Sequence, residues 1–213
     1  MKESPFVSSV LKLLKERYGE DLHTELKHAD MTELFVAVLL SPQCTDKQVN
    51  TVTEGLFRKF RNFEEYANAD IRTLRKEIGG INYYKTKARN LKRSARIIIE
   101  RFGGEVPDSI GRLMELPGVG RKVANVIQNE GFGKSEGIAV DTHCITVSRR
   151  LGLSRHRLAD NIERDLQRKI PEGEWRNVSN LFIALGRDTC RARRKECTRC
   201  VLKEICPSSE AMQ

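Results

Sequence analysis

The sequence predicts an all-α fold, and three observations carry that expectation. Apolar residues recur at intervals of three and four along almost the whole chain. No segment shows sustained period-two alternation, and no turn dipeptide joins two apolar runs as it would between paired strands. Taken in order, residues 6–18 set Val7, Val10, Leu11, Leu14 and Tyr18 on one helical face. Asp30 with Glu33 gives a capping-box-like start to a helix through Leu40. Asp46 can cap the next, whose stripe is Val49, Val52, Leu56, Phe57 and Phe60. Asp70 opens another, with Ile71, Leu74 and Ile78. A longer helix follows, with Ala88, Leu91, Ala95, Ile98 and Phe102, and Gly103-Gly104 ends it. Helical spacing returns in 109–116 and 122–129, and three further helices fall near 142–151, 157–169 and 174–186.

Between the helices at 109–116 and 122–129 lies Leu116-Pro117-Gly118-Val119-Gly120-Arg121-Lys122. Gly118 and Gly120 flank one small residue, so backbone N–H groups can face outward and approach an anion closely. The start of the next helix adds positive partial charge at the same spot. That field disfavours an ammonium ion, so Lys122, on the first turn, is placed to act as a neutral amine. A phosphate grip beside a nucleophilic amine points to chemistry on a nucleic-acid backbone, with Arg121 as a further cation. A phosphate clamp is the simpler use of such a lysine.

The net charge of +9 and pI near 9.4 suit a polyanionic partner, and 213 residues can build one sizeable domain or two small ones. No apolar run reaches the roughly 20 residues of a membrane span. The opening Met1-Lys2-Glu3-Ser4-Pro5 has no signal-peptide core, so a reducing compartment is expected. The glycine-rich stretch 130–137 is the softest junction and a candidate passage between two helical lobes, whose intervening cleft would be a natural binding site.

Cys190, Cys197, Cys200 and Cys206 follow the spacing C-x6-C-x2-C-x5-C. Four thiols from one short segment in a reducing compartment point to a metal ion or an iron–sulfur cluster. Zinc sites usually pair two C-x2-C knuckles, and only Cys197 and Cys200 form one here, which favours the cluster over zinc. The loop between the first two, with Arg191, Arg193, Arg194 and Lys195, would present a basic patch to phosphates. Cys44 and Cys144 lie outside the pattern and read as buried small residues. Asp141, in Val140-Asp141-Thr142-His143, reads locally as a helix N-cap.

The combination of LPGVGRK, VDTH after a glycine-rich stretch, and the four-cysteine spacing resembles the helix–hairpin–helix (HhH-GPD) DNA glycosylase family with an iron–sulfur cluster. Within it the chain looks like the endonuclease III branch. Upstream, residues 39–46 match that family's LLS-x-Q-x-T-D segment, so the resemblance covers nearly the whole chain. It implies a six-helix barrel over 24–134 containing the helix–hairpin–helix at about 109–129, and a cluster lobe made of 1–23 with 135–213. A DNA-binding cleft would lie between the lobes.

It further implies a bifunctional DNA glycosylase and AP lyase of base excision repair, removing oxidised or otherwise damaged pyrimidines from duplex DNA and nicking 3′ to the abasic site. Lys122 would be the Schiff-base nucleophile and Asp141 its partner carboxylate. The four cysteines would hold a 4Fe–4S cluster. Gln43 would enter the base stack, Ile81 and Tyr83 fall where apolar wedges are expected, and His143 matches a histidine near the active site. Asn82-Tyr83 stands where the family usually has Gly-Leu or Gly-Phe. A monomer is expected, in the cytoplasm with the nucleoid if prokaryotic and in the nucleus if eukaryotic. The alternatives are a mismatch or uracil-type glycosylase on the same scaffold, and a noncatalytic DNA-binding module.

Overall fold

The structure, a computed structural model, describes residues 4–210. The N-terminus read above as leader-free, and both outer ends of the expected lobes, therefore lie partly outside the described residues. Eleven α-helices occur among them, with no strand; an isolated bridge pairs Cys190 with Lys195. The chain divides into two compact units, residues 24–133 and the rest, and each has its own core.

In the unit from Thr24 to Gly133, α2 (Met31–Leu40) is the central element. Every residue from Leu34 to Leu40 is buried, as expected of a helix that is apolar all round. Asp30 caps it, its Oδ1 accepting from the Glu33 N–H at 2.9 Å, while Glu33 Oε2 accepts from the Ala29 N–H. Around it pack α3 (Asp46–Lys59), α6 (Tyr84–Phe102) and α8 (Arg121–Phe132). Thr45, rather than Asp46, caps α3: its Oγ1 accepts from the Gln48 N–H, and Asp46 becomes a first-turn acid favoured by the helix dipole.

Against α6 lie α4 (Phe63–Asn68) and α5 (Ile71–Glu77). With six residues and no periodic stripe, α4 escaped the spacing argument. Its signal was the Asn62-x-x-Glu65 capping box, in which Asn62 Oδ1 accepts from Glu65 N–H and Glu65 Oε2 from Arg61 N–H. The helix expected over 109–116 is only α7 (Ile110–Leu113), because i→i+3 bonds at Glu115 and Leu116 tighten the chain into the glycine turn.

In the other unit α1 (Pro5–Tyr18) begins with proline at its first position and buries Val7, Val10, Leu11 and Leu14. It packs on α11 (Trp175–Asp188) beside α9 (Thr142–Arg150) and α10 (Ala159–Lys169). Two polar ties fix α1: Lys15 Nζ to Glu174 Oε1 at 2.6 Å, and Tyr18 OH donating to Asp188 Oδ2 at 2.9 Å. Burial and that carboxylate raise the phenol's pKa, so Tyr18 stays a donor. No helix of the described residues is long and apolar enough to cross a membrane.

Candidate functional site

In the unit from Thr24 to Gly133 the candidate residues sit on two turns, both supported by α6. The first is the glycine hairpin. Gly118 has φ +88° and Gly120 is the extended N-cap of α8, so Lys122 stands at the second helical position. Gly120 has no side chain to cap α8, and the positive end of the helix dipole there favours an anion. Both glycines are exposed, Arg121 and Lys122 are half-buried, and the Lys122 side chain makes no hydrogen bond or ion pair among the described residues.

The α6 side chains Asn90 and Ser94, which carry no motif, form the seat of this hairpin. Ser94 Oγ donates to the Pro117 carbonyl at 3.0 Å, turning that oxygen inward, and Asn90 packs beneath Gly118. A Cβ on Gly118 would stand 2.7 Å from Asn90 Nδ2 and 3.1 Å from Leu39, on a backbone that L side chains rarely adopt. Gly118→Ala should therefore cost about 1–3 kcal/mol of stability and weaken anion binding at the turn. A chemical melt paired with a binding titration checks both effects.

The second turn holds Gln43, Asn82 and Tyr83. Gln43 (φ 60°) and Tyr83 (φ 58°) are the non-glycine residues in the left-handed region among the described residues. Asn82 Nδ2 donates to the Gln43 carbonyl at 2.6 Å, and Gln48 Nε2 donates to the Gly80 carbonyl, so the two segments are tied together. Tyr83 is 66% exposed, a ring held out on strained backbone. Ile81 corrects the expectation of a wedge: at 2% exposure it belongs to the core, because the turn directs it inward.

Below this turn lies Lys87, a buried lysine that the spacing argument passed over. Its Nζ donates to the Leu40 and Pro42 carbonyls at 2.8 and 2.7 Å and meets Cys44 Sγ at 3.4 Å. Burial lowers its pKa, and the Cys44 contact opposes that shift. A cation at the C-terminus of α2 satisfies carbonyls the helix leaves open, and so fixes the segment that carries Gln43.

The remaining candidates belong to the other unit. Asp141 is the N-cap of α9, its Oδ1 accepting from the Cys144 N–H at 2.8 Å. Two residues on, the His143 ring lies against Gly186 of α11, where a Cβ would come within 2.8 Å of Nδ1. At the far end of α9, Arg150 holds the cysteine segment. Its guanidinium donates to the carbonyls of Cys190, Arg191 and Ala192 and to Cys190 Sγ at 3.2 Å, while its carbonyl accepts from Ser208 Oγ.

Cys190, Cys197, Cys200 and Cys206 are all free thiols, half-buried, and lie in one another's electrostatic field. Burial raises the Cys190 and Cys206 thiols, and Arg150 pulls Cys190 back down. No three ligand-type side chains of the described residues close around a single metal ion. Four soft thiol donors within one short segment are a donor set that zinc or an iron–sulfur cluster can use. In the loop they frame, Arg191, Arg193 and Arg194 are exposed. Lys195 departs from the expected phosphate patch, since it is engaged by the Ser208 carbonyl at 2.9 Å and Glu210 at 2.6 Å and staples the loop. Outside these four cysteines, Cys144 is buried as expected, whereas Cys44 is half-buried against Lys87.

Comparison with known proteins finds close relatives. The profile of the HhH-GPD superfamily base excision DNA repair proteins matches residues 36–172. Endonuclease III of Synechocystis sp. is 39% identical over 204 residues, covering 96% of this chain and 93% of that protein. Endonuclease III of Bacillus subtilis is 43% identical over 183 residues, covering 85% and 83%. A solved complex described as a trapped endonuclease III–DNA covalent intermediate superposes with a TM-score of 0.92 at 38% identity, over 100% of this chain and 99% of that one.

Proposed function

This chain belongs to the HhH-GPD superfamily of base excision DNA repair proteins, and from that premise we propose that it is a bifunctional DNA glycosylase and AP lyase acting on damaged pyrimidines in duplex DNA. The observation that carries this reading is Lys122, a half-buried amine without an internal partner, on the first turn after the glycine hairpin. A similar endonuclease III has been captured as a covalent DNA intermediate, which is the chemistry such an amine performs.

In this mechanism the damaged nucleotide leaves the base stack, because its sugar cannot be reached inside the duplex. The neutral Lys122 Nζ attacks the anomeric carbon; the glycosidic bond breaks, and the base departs with the electron pair and takes up a proton. Asp141 assists the proton transfers and stabilises positive charge on the sugar. Nζ then gives up a proton, the C1′–O4′ bond opens with O4′ taking up a proton, and the Schiff base so formed acidifies the neighbouring C2′ proton. Its removal expels the 3′ phosphate by β-elimination, and water then releases the lysine.

Gly118, Gly120 and Arg121 grip a phosphate at the start of α8. Gln43 and Tyr83 face the gap in the stack, His143 stands near the reacting sugar, and Arg191, Arg193 and Arg194 hold backbone phosphates. Cys190, Cys197, Cys200 and Cys206 hold a 4Fe–4S cluster, which when bound supplies a staple for this loop rather than excision chemistry. On this reading the enzyme acts as a monomer, and in the cytoplasm if its source is bacterial like those of the relatives named above.

Borohydride added during reaction with a duplex containing one oxidised pyrimidine should trap a covalent protein–DNA adduct, and without borohydride the strand should be nicked. Failure to trap on both that duplex and an abasic one would overturn the lyase reading. The purified protein should be brown with iron and sulfide in equal amounts, and Cys197→Ser should bleach it; a colourless zinc protein would overturn the cluster.

A further inference from the structure

We propose that α6 carries a second phosphate-binding track, formed by Lys85, Arg89, Arg93 and Arg96, that grips duplex DNA away from the reacting nucleotide. The four residues recur at steps of four, four and three, which places them within one narrow arc of the helix surface. All four are exposed, and no salt bridge among the described residues involves any of them. The opposite face of α6 is committed to the core through Ala88, Leu91, Ala95 and Ile98, so the helix cannot turn the stripe away.

A solvated helix face ordinarily interleaves both signs of charge. Here no acidic residue occurs from Tyr84 to Ile99, and Glu100 is the first to follow. Like charges one turn apart repel, so an uncompensated row of four works against helix stability unless a polyanion covers it. Three of the four are arginines, whose planar fork matches phosphate oxygens in pairs. The stripe is about 16 Å long, the axial rise of roughly five phosphates of one DNA strand.

Position completes the case. Arg89 and Arg93 each precede by one residue the side chains that seat the hairpin, Asn90 and Ser94. The N-terminus of the same helix is Tyr83, on the turn tied to Gln43. The track therefore runs beside both turns assigned to DNA contact. That assignment, and so the choice of DNA as the polyanion, rests on the function proposed above.

The test compares wild type with Arg89→Gln/Arg93→Gln/Arg96→Gln and with the corresponding triple lysine variant, using undamaged duplex over about 0.05–0.2 M KCl. In the glutamine variant the slope of log affinity against log salt should become shallower by about 2 to 3, with roughly ten-fold or more lost at the upper salt. The lysine variant should keep the wild-type slope. Adduct yield at saturating DNA and low salt should not change, and the Tm should hold or rise as repulsion is relieved. If the triple variant does not fold, Arg89→Gln and Arg96→Gln singly should each remove about 0.9 of slope. An unchanged slope would overturn the track, as would loss of binding to anionic vesicles with DNA affinity intact. Because the probe is undamaged DNA, an absent lyase activity and an absent track give separate results.

Discussion

Replacing Lys122 with alanine will abolish borohydride trapping and strand nicking, a loss on the order of 10⁴-fold or more, while affinity for abasic duplex changes only a few-fold. The asymmetry follows from the surroundings. Lys122 has no hydrogen bond or ion pair among the described residues, so its removal leaves no internal group unsatisfied. Alanine is the best helix former at an early position of α8, so the hairpin and the N–H groups it presents survive. What disappears is the nitrogen proposed to form the Schiff base. Lys122→Arg sharpens the test, because it keeps a phosphate-binding cation but remains protonated and cannot attack carbon. An arginine variant that binds well but traps nothing separates nucleophile from clamp. If instead the alanine variant traps as wild type does, another amine does the chemistry and the proposed mechanism is wrong.

The parts of this molecule legible in the sequence are those written in short-range order. The apolar run of α2, the stripe of α6 ended by the left-handed Gly103, and the glycine turn before α8 depend on neighbours within a few residues. Errors arose where local and tertiary preferences compete. Ile81 is an apolar residue in an exposed turn, and only the packed turn decides that it points into the core while Tyr83 points out. Lys195 sits in a basic run, yet its partners come from residues 208 and 210, after the last cysteine. The supporting residues were invisible for the same reason: Lys87 reaches back 45 residues to Pro42, Ser94 forward 23 to Pro117, and Arg150 forward 40 to Cys190. A single sequence names the groups that carry chemistry through their motifs. The groups that hold them still have no motif, only a position in the fold.

Asp141 shows how to divide a residue that serves both purposes. Its carboxylate caps α9 by accepting the Cys144 N–H at 2.8 Å from an extended backbone, a duty asparagine performs equally well. Asp141→Asn should therefore unfold within about 0.5 kcal/mol of wild type, whereas Asp141→Ala should lose about 1 kcal/mol with the cap. Activity should follow charge instead. Without a carboxylate to accept protons and stabilise the cationic sugar, both variants should lose about 10²–10⁴-fold in base excision under single-turnover conditions. The asparagine variant is the informative one, being stable yet slow. Lysine trapping on a preformed abasic site should suffer less than excision, since the base has already gone and the carboxylate's largest task with it. Excision by the asparagine variant at near wild-type rate would reduce Asp141 to a helix cap and return the proton transfers to an unassigned group.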